Sequence, residues 1–392
     1  MKEDATTMTI KEIARLANVS SAAVSRYLNG GYISEEKRAQ IKKVIEETGY
    51  HPSAQARTLR TKRASLVGVV VPKINSESIS RVTEGIGNVL AARGYQMLLA
   101  STDNNAKKEI EYLHLFEKYP VDGIILIGTM ITAEHRRFLK NARIPVVVTG
   151  QNTKYANCVY HDDYGAGKAM GKLAASLSGK HKHIAYIGVT REDKAAGAAR
   201  EDGFRAGLRA EGRELEEKDV RISAFRAESG YEAALSLLDE ETDIGVISCA
   251  TDTIAAGAIR ALRDRGIRLA QDRPALPQDQ PDLAQDRSVL SQTRLVLPDA
   301  DAPADSRRIA VTGFGDNQLL KAATGGIPTV HFGYKTSGIR SAELLLDVIE
   351  RGEKIPVEMK LGFRMVSAEE GREDPRENSG ESGRLEARKK ER

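Results

Sequence analysis

From residue 66 onward the chain alternates short apolar runs with stretches of helical periodicity, and that alternation leaves few folds open. Residues 66–71, 95–100, 123–128 and 145–149 are nearly continuous apolar runs, the pattern of strands buried on both faces of a parallel sheet. Helices fall between them, for example over 79–93 and 106–119. A second set begins at 183–188 and continues at 220–222, 244–248 and 309–313. Strands alternating with helices predict doubly wound sheets. Two such sets predict a two-lobed α/β body whose cleft lies at the carboxyl ends of the strands, where open α/β sheets bind ligands. At 392 residues the chain has room for this body and a further domain or two.

The stretch before the body has a different period. Thr9-Ile10-Lys11-Glu12 is a capping box, in which the threonine hydroxyl and the glutamate carboxylate each serve the other's backbone amide. Ile10, Ile13, Ala14 and Ala17 form one apolar stripe, with Leu16 beside them, and Asn18 tolerates the left-handed conformation of a tight turn. Ser20 caps a second helix running to about Asn29, which buries Ala23, Val24 and Leu28. A third helix starts after Ser34, places Glu35 and Glu36 at its positive end, and stops at Gly49. Its inner face is Ile41, Val44 and Ile45.

Any small bundle could share these caps; charge and the second helix narrow the choice. Residues 1–65 hold twelve basic and seven acidic side chains, whereas the whole chain carries only +4. A positive field confined to one end suits nucleic acid, although a solvated basic face looks similar. On the second helix the outward residues Ser20, Ser21, Ala22, Ser25 and Arg26 are small or hydrogen-bonding, with no acid among them. Such a helix can lie deep in a major groove, and Arg26 offers guanine a bidentate donor fork.

Other classes find little support. No apolar run reaches the roughly 18 residues of a membrane span, and residues 1–7 lack the apolar core of an export signal. Cys158 and Cys249 sit in apolar contexts that fit a reducing, cytoplasmic interior. The dinucleotide and P-loop glycine patterns are absent, and the triplet His161-Asp162-Asp163 has no partner at metal-ligand spacing. We read that triplet as the crossing between the two halves, and expect no catalysis, cofactor or metal.

The head resembles that of the lactose-repressor/galactose-repressor family of bacterial transcription regulators. The residues that carry the resemblance are Ile10-Lys11-Glu12-Ile13-Ala14, Asn18-Val19-Ser20 and Val24-Ser25-Arg26-Tyr27-Leu28-Asn29, followed by Gly49-Tyr50-His51-Pro52-Ser53-Ala54-Gln55-Ala56-Arg57-Thr58-Leu59. It extends over residues 8 to about 366. It implies an all-α helix-turn-helix head (1–50) and a hinge helix (51–65). These join a two-lobed periplasmic-binding-protein-like body of doubly wound parallel sheets (66–366). Ser21 and Ala22 would begin the base-reading surface, with Arg26 as the matching arginine. Ser20 and Asn29 would sit at phosphate and packing positions, and Thr9 and Ser25 would belong to the same DNA-binding face. In the hinge, Leu59 would wedge into the minor groove beside Ala56 and Arg57, which bends the duplex.

For the body, the resemblance makes Arg200 the arginine that holds effector hydroxyls or carboxylates. Asp252 would be the acidic contact, with Thr251 beside it, and an Arg–Asp pair of this kind orients sugars. Phe225 and Tyr334 match aromatic positions that stack on a ligand face, and Asn75 is a rim contact. Asp316 lies one position past the family's acid, where Gly315 stands instead.

Two segments depart from the pattern. Residues 270–297 are four tandem seven-residue units, each ending in leucine, within a stretch (269–305) that reads as a loop insertion. Pro274, Pro277 and Pro281 argue against a coiled coil. Residues 367–392 are mostly charged or small and read as a disordered tail without tetramerising heptads. The whole chain therefore reads as a ligand-responsive DNA-binding regulator. We expect a homodimeric repressor of a carbohydrate-utilisation operon that binds a pseudo-palindromic double-stranded operator and is released by a sugar. A corepressor such as a purine would reverse the sign. A sugar-binding protein or enzyme without DNA function is the reading from another class.

Overall fold

A computed structural model describes residues 8–28, 30–50, 63–270, 307–352 and 357–367. Contacts divide the chain into two units. One runs to Leu66 and takes in Tyr119–Asp122; the other holds the remainder. The expected hinge and nearly all of the heptad insertion and tail lie outside the described residues.

Among its described residues the first unit contains three helices: α1 (Ile10–Leu16), α2 (Ser21–Leu28) and α3 (Glu35–Thr48). The capping box is formed, with the Thr9 amide donating to Glu12 Oε2 at 2.6 Å and the Glu12 amide to Thr9 Oγ1 at 3.4 Å. Asn18 turns the chain between α1 and α2 with a φ of 50°. The Ser20 hydroxyl accepts from the Ala23 amide at 3.2 Å. Ser34 occupies the cap position of α3, but its hydroxyl makes no capping bond. The acidic first turn, Glu35 and Glu36, and the left-handed Gly49 mark the ends of that helix. Ile13, Ala14, Ala17, Ala23, Val24, Ile33, Ile41 and Tyr50 form the core, with Leu28, Val44 and Ile45 half-buried around it.

The second unit is built on two sheets. The first runs β12-β5-β4-β3-β1-β2 and the second β13-β11-β10-β8-β6-β7, with β9 beside β10. In the first half these are β1 (Leu66–Val71), β2 (Gln96–Ser101), β3 (Gly123–Ile127), β4 (Val146–Thr149) and β5 (Asn157–His161). The second half adds β6 (His183–Gly188), β7 (Val220–Ile222), β8 (Ile244–Cys249), β9 (Arg268–Leu269), β10 (Arg308–Phe314) and β11 (Thr329–Phe332). The last two strands, β12 (Glu358–Leu361) and β13 (Phe363–Val366), close opposite sheets. The first lies parallel to β5 and the second antiparallel to β11. The central pairs are parallel and their strands buried throughout, as the apolar runs require. The chain crosses between lobes after β5, where the His161 triplet ends the strand, after β11, and between β12 and β13.

Three helix pairs dock by reciprocal glycines. In the first lobe α4 (Glu77–Ala92) meets the C-terminal helix Tyr334–Arg351. A Cβ on Gly85 would lie 2.2 Å from the Lys335 carbonyl oxygen, and one on Gly338 2.0 Å from that of Val82. In the second lobe, helix Asp163–Ser178 meets helix Arg200–Ala210. Gly167, Gly171, Gly203 and Gly207 would each place a Cβ 2.2 Å from a backbone oxygen of the facing helix. Gly230 and Gly257 do the same for helices Ala227–Glu240 and Asp252–Asp264, at 2.5 and 2.0 Å. Backbones this close leave no space for a methyl group.

Gly171→Ala should therefore destabilise the protein by about 1–3 kcal/mol, as overpacking does. Gly87→Ala, whose Cβ meets only Met97 Cε at 3.9 Å, should gain roughly 0.5–1 kcal/mol of helix propensity. Urea unfolding of both variants checks the pair of signs, and equal midpoints would sink the docking model.

Candidate functional site

Two surfaces offer chemistry. On the first unit Ser20, Ser21, Ala22 and Arg26 are exposed along one side of α2, and Ser25 is half-buried. Thr9 is exposed and occupied in capping. No acidic side chain stands on this helix, so nothing on it repels a phosphate backbone. Asn29, Ala56, Arg57 and Leu59 lie outside the described residues.

The second surface is the cleft between the two sheets, which encloses about 170 Å³. Its walls come from the carboxyl ends of strands in both lobes: Lys73, Ser76 and Glu77 after β1, Gln151 after β4, His161 ending β5, Phe225 after β7, Thr251 and Asp252 after β8, and Phe314 ending β10. Arg200 and Tyr334 complete it.

Arg200 is the centre. It is only 7% exposed. Its Nε donates to Asp163 Oδ1 at 2.7 Å and its Nη1 to the Ala250 carbonyl at 2.6 Å. The guanidinium lies 5.1 Å from the Phe314 ring centre and 5.0 Å from that of Phe332. Burial is the largest influence and would lower its pKa, but the charge and hydrogen bond of Asp163, with Tyr334 and Tyr186, together outweigh it and the net shift is upward. A π-helical turn, Lys194–Ala199, delivers Arg200 to this position. Such turns widen a helix by one residue and recur at functional sites. Asp193 caps the turn through the Ala195 and Ala196 amides, each at 2.9 Å, and takes a 2.9 Å bond from Gln151 of the other lobe.

The partner of Arg200 is thus Asp163, not Asp252. Asp163 had no ligand role in the sequence reading, because its triplet was taken only as the lobe crossing. Asp252 does line the cavity, but both its oxygens are engaged: Oδ2 accepts from the Asn317 amide and Oδ1 from the Thr329 hydroxyl, each at 2.7 Å. Burial raises its pKa to about 6, against those two hydrogen bonds. The Thr251 hydroxyl caps the helix that follows, accepting from the Ile254 amide at 3.2 Å.

The remaining residues divide. Phe225 and Tyr334 line the cavity. The Phe225 carbonyl also accepts from Lys73 Nζ of the opposite lobe at 2.7 Å. Asp316 does not line it: its carboxylate bonds His331 Nδ1 at 2.8 Å, and Gly315 takes its place at the wall. Asn75 is exposed on the turn after β1 and does not line the cavity, whereas its neighbours Lys73, Ser76 and Glu77 do.

Sequence reasoning also missed His161. It is 8% exposed, lines the cavity, and its Nε2 has no hydrogen-bond partner among the described residues. Burial pushes its pKa down to about 4, with Asp163 opposing. The ring is therefore neutral at physiological pH.

Among the described residues one cluster has donors close enough to share a metal ion: His183, Asp219 and Glu241, within 4.8 Å of one another. Its geometry fits ion pairing better. Nδ1 of His183 faces Asp219 at 2.9 Å, Nε2 faces Glu241 at 3.2 Å, and Lys218 also pairs with Glu241. The cluster sits before strands β6, β7 and β8, at the amino ends and away from the cleft. No helix among the described residues is long and apolar enough to cross a membrane.

Comparison with known proteins bears on both surfaces. Residues 9–53 match the family model for bacterial regulatory proteins of the lacI family. Residues 64–275 match that for periplasmic binding proteins and the sugar binding domain of the LacI family. The sucrose operon repressor of Staphylococcus xylosus is 32% identical over 246 residues, 63% of this chain and 75% of that protein. Catabolite control protein A of Priestia megaterium is 31% identical over 268 residues, 68% of this chain and 80% of that protein. A solved complex of the transcriptional regulator CelR with cellobiose superposes with a TM-score of 0.63 at 25% identity, covering 92% of this chain and 98% of that one. With one family model matching its head, another matching more than half of the chain, and a relative 31% identical over 68% of its length, this chain belongs to the LacI family of bacterial transcriptional regulators.

Proposed function

We propose that this protein is a dimeric repressor of a carbohydrate-utilisation operon, released from a pseudo-palindromic operator when a sugar fills the cleft. The observation that carries the reading is the buried Arg200–Asp163 pair among aromatic walls, on a chain that also presents an acid-free helix with Arg26 exposed. A guanidinium and a carboxylate side by side match hydroxyl groups, which both accept and donate, and aromatic walls cover the apolar face of a sugar ring. Two similar proteins are described in those terms, one as a sucrose operon repressor and one as a complex with cellobiose.

The division of roles follows the chain. Residues 1–50 read DNA, 51–65 form the hinge, 66–366 bind effector and dimerise, and 367–392 are a tail; the division of contacts after Leu66 supports the boundary between head and body. Ser21, Ala22 and Arg26 face base edges, while Thr9, Ser20, Ser25 and Asn29 hold the helix or phosphates. Ala56, Arg57 and Leu59 act from the hinge in the minor groove. In the cleft Arg200 and Asp163 orient the effector, Phe225 and Tyr334 cover it, and Thr251 and Asp252 shape the wall.

Footprinting and fluorescence anisotropy on the protein's own promoter, with a panel of sugars and purines, report operator, effector and sign together. Arg26→Ala should weaken specific binding by about 1–3 kcal/mol, the worth of one bidentate base contact, and leave non-specific binding little changed. Equal losses on both would remove Arg26 from base reading. Arg200→Ala should keep operator binding, which also reports folding, while raising the sugar concentration for half-release by at least about a hundredfold, since it breaks a buried charge pair. An unchanged response would remove Arg200 from the effector site, and release by a purine-free, sugar-free buffer with tightening by purine would reverse the sign of regulation.

A further inference from the structure

Buried polar atoms in folded proteins have hydrogen-bond partners, and an exception asks for a reason. Among the described residues four buried side-chain atoms have none: Glu109 Oε1, His161 Nε2, Tyr186 Oη and Asp219 Oδ1. Only His161 lines the cleft cavity. Its ring is wedged between Phe332, at 4.9 Å between centres, and the edge of Tyr334 at 5.4 Å.

We infer that His161 Nε2 accepts a hydrogen bond from a hydroxyl of a neutral sugar, and so selects against anionic sugars such as phosphates and sugar acids. The inference rests on the reading of the cleft as a sugar site and names the polarity that site demands. The ring is neutral, so one nitrogen carries a proton and the other a lone pair. The backbone of Gly333 bonds the ring in the sense that favours its protonated form, which is an N–H donating to a carbonyl. That fixes the proton on Nδ1 and leaves Nε2 as an acceptor. A phosphate or carboxylate oxygen has no proton to give it, and would face its lone pair. A hydroxyl can donate to Nε2 while accepting from Arg200. Asp163, at 2.7 Å from Arg200 and itself an acceptor, adds to the demand for donors. Beside the Arg200 guanidinium the site therefore sets two acceptors, and Lys73, the other cation on the wall, is engaged by the Phe225 carbonyl, an arrangement suited to a polyol and poorly suited to an anion.

The test is isothermal titration of the full chain with glucose, ribose, sucrose, cellobiose, glucose 6-phosphate and gluconate. A neutral sugar should bind, and His161→Phe should weaken it about tenfold to a hundredfold, the cost of an unmade bond to a buried group. His161→Gln, which restores an acceptor oxygen, should recover part of the loss. Deoxy analogues of the bound sugar give a second route that needs no variant. One of them should bind the native protein as weakly as the parent sugar binds His161→Phe, and His161→Phe should not distinguish it from the parent. Operator binding and melting without ligand check that the variants fold. Equal affinity in native and His161→Phe protein, no sensitive deoxy position, or preference for the anionic sugars overturns the inference. If Arg200→Ala still loses the sugar, the cleft reading survives that outcome. If no neutral sugar binds the native protein, the cleft reading falls as well.

Discussion

The buried guanidinium of Arg200 is the point on which the second lobe and the cleft depend. A charge removed from water persists only when paired and hydrogen-bonded, and Asp163, the Ala250 carbonyl and two aromatic faces meet that requirement. The pair is not an efficient source of stability, because desolvation offsets most of its attraction; removing one partner nevertheless costs about 3–5 kcal/mol. Its contribution is orientation. Asp163 opens one helix, Arg200 opens the next, and Ala250 follows β8, so three elements are fixed by one side chain. The backbone is pinned as well: Gly167 lies so close under the Arg200 carbonyl that a Cβ there would come within 2.2 Å of its oxygen. Donors held this firmly from both ends lose little freedom when a ligand arrives.

That rigidity within a lobe contrasts with the contacts between lobes. Among the described residues the bonds that span the cleft are few and polar: Lys73 to the Phe225 carbonyl, Gln151 to Asp193, Arg81 to the Asp316 carbonyl at 3.2 Å, and the Gln318 amide to Glu77 at 3.1 Å. Each has one charged partner and is worth about 1.5–3 kcal/mol at most, net of the water it replaces. Closure built from such contacts lies near balance, and a ligand that bonds both lobes can shift it by its differential affinity alone. The two lobes meet along three chain crossings without a shared sheet. The body can therefore change its cleft without unpicking either core.

How much of this was legible in the chain follows from which forces leave a local trace. Central strands did: residues 66–71 and 183–188 are strands with the bounds expected, because burial on both faces demands a continuous apolar run. The edge strands β12 and β13 did not, since half-exposed positions such as Glu358 and Arg364 break the run and their pairing is decided by sequence-distant partners. Helix ends were legible where a side chain makes the cap, as at Thr9 and Ser20, and less so at Ser34, whose hydroxyl leaves the work to acidic residues and a terminal glycine. The glycine-docked helix pairs left their spacing in plain view, Gly167 with Gly171 and Gly203 with Gly207, but that spacing says nothing of which helix answers which.

The cleft shows the same limit at the level of single atoms. Motif matching located Arg200 and Asp252, yet a position along the chain does not reveal whether a carboxylate is spent. Asp252 lines the cavity and already holds two structural bonds, one on each oxygen, from Thr329 and Asn317; its bulk explains why glycines stand opposite, since a Cβ on Gly313 would lie 2.2 Å from Oδ1. Asp316 likewise bonds His331. Also on the cavity wall stand Arg200, paired with Asp163, and His161, whose Nε2 has no hydrogen-bond partner among the described residues. The last two lay in a triplet whose sequence signature was that of a chain crossing. A crossing between lobes is also where a strand end from one lobe and a helix start from the other are one residue apart, so His161 and Asp163 can face the same ligand from either side of the cleft. The segment that joins the lobes is thereby part of the site that senses their approach.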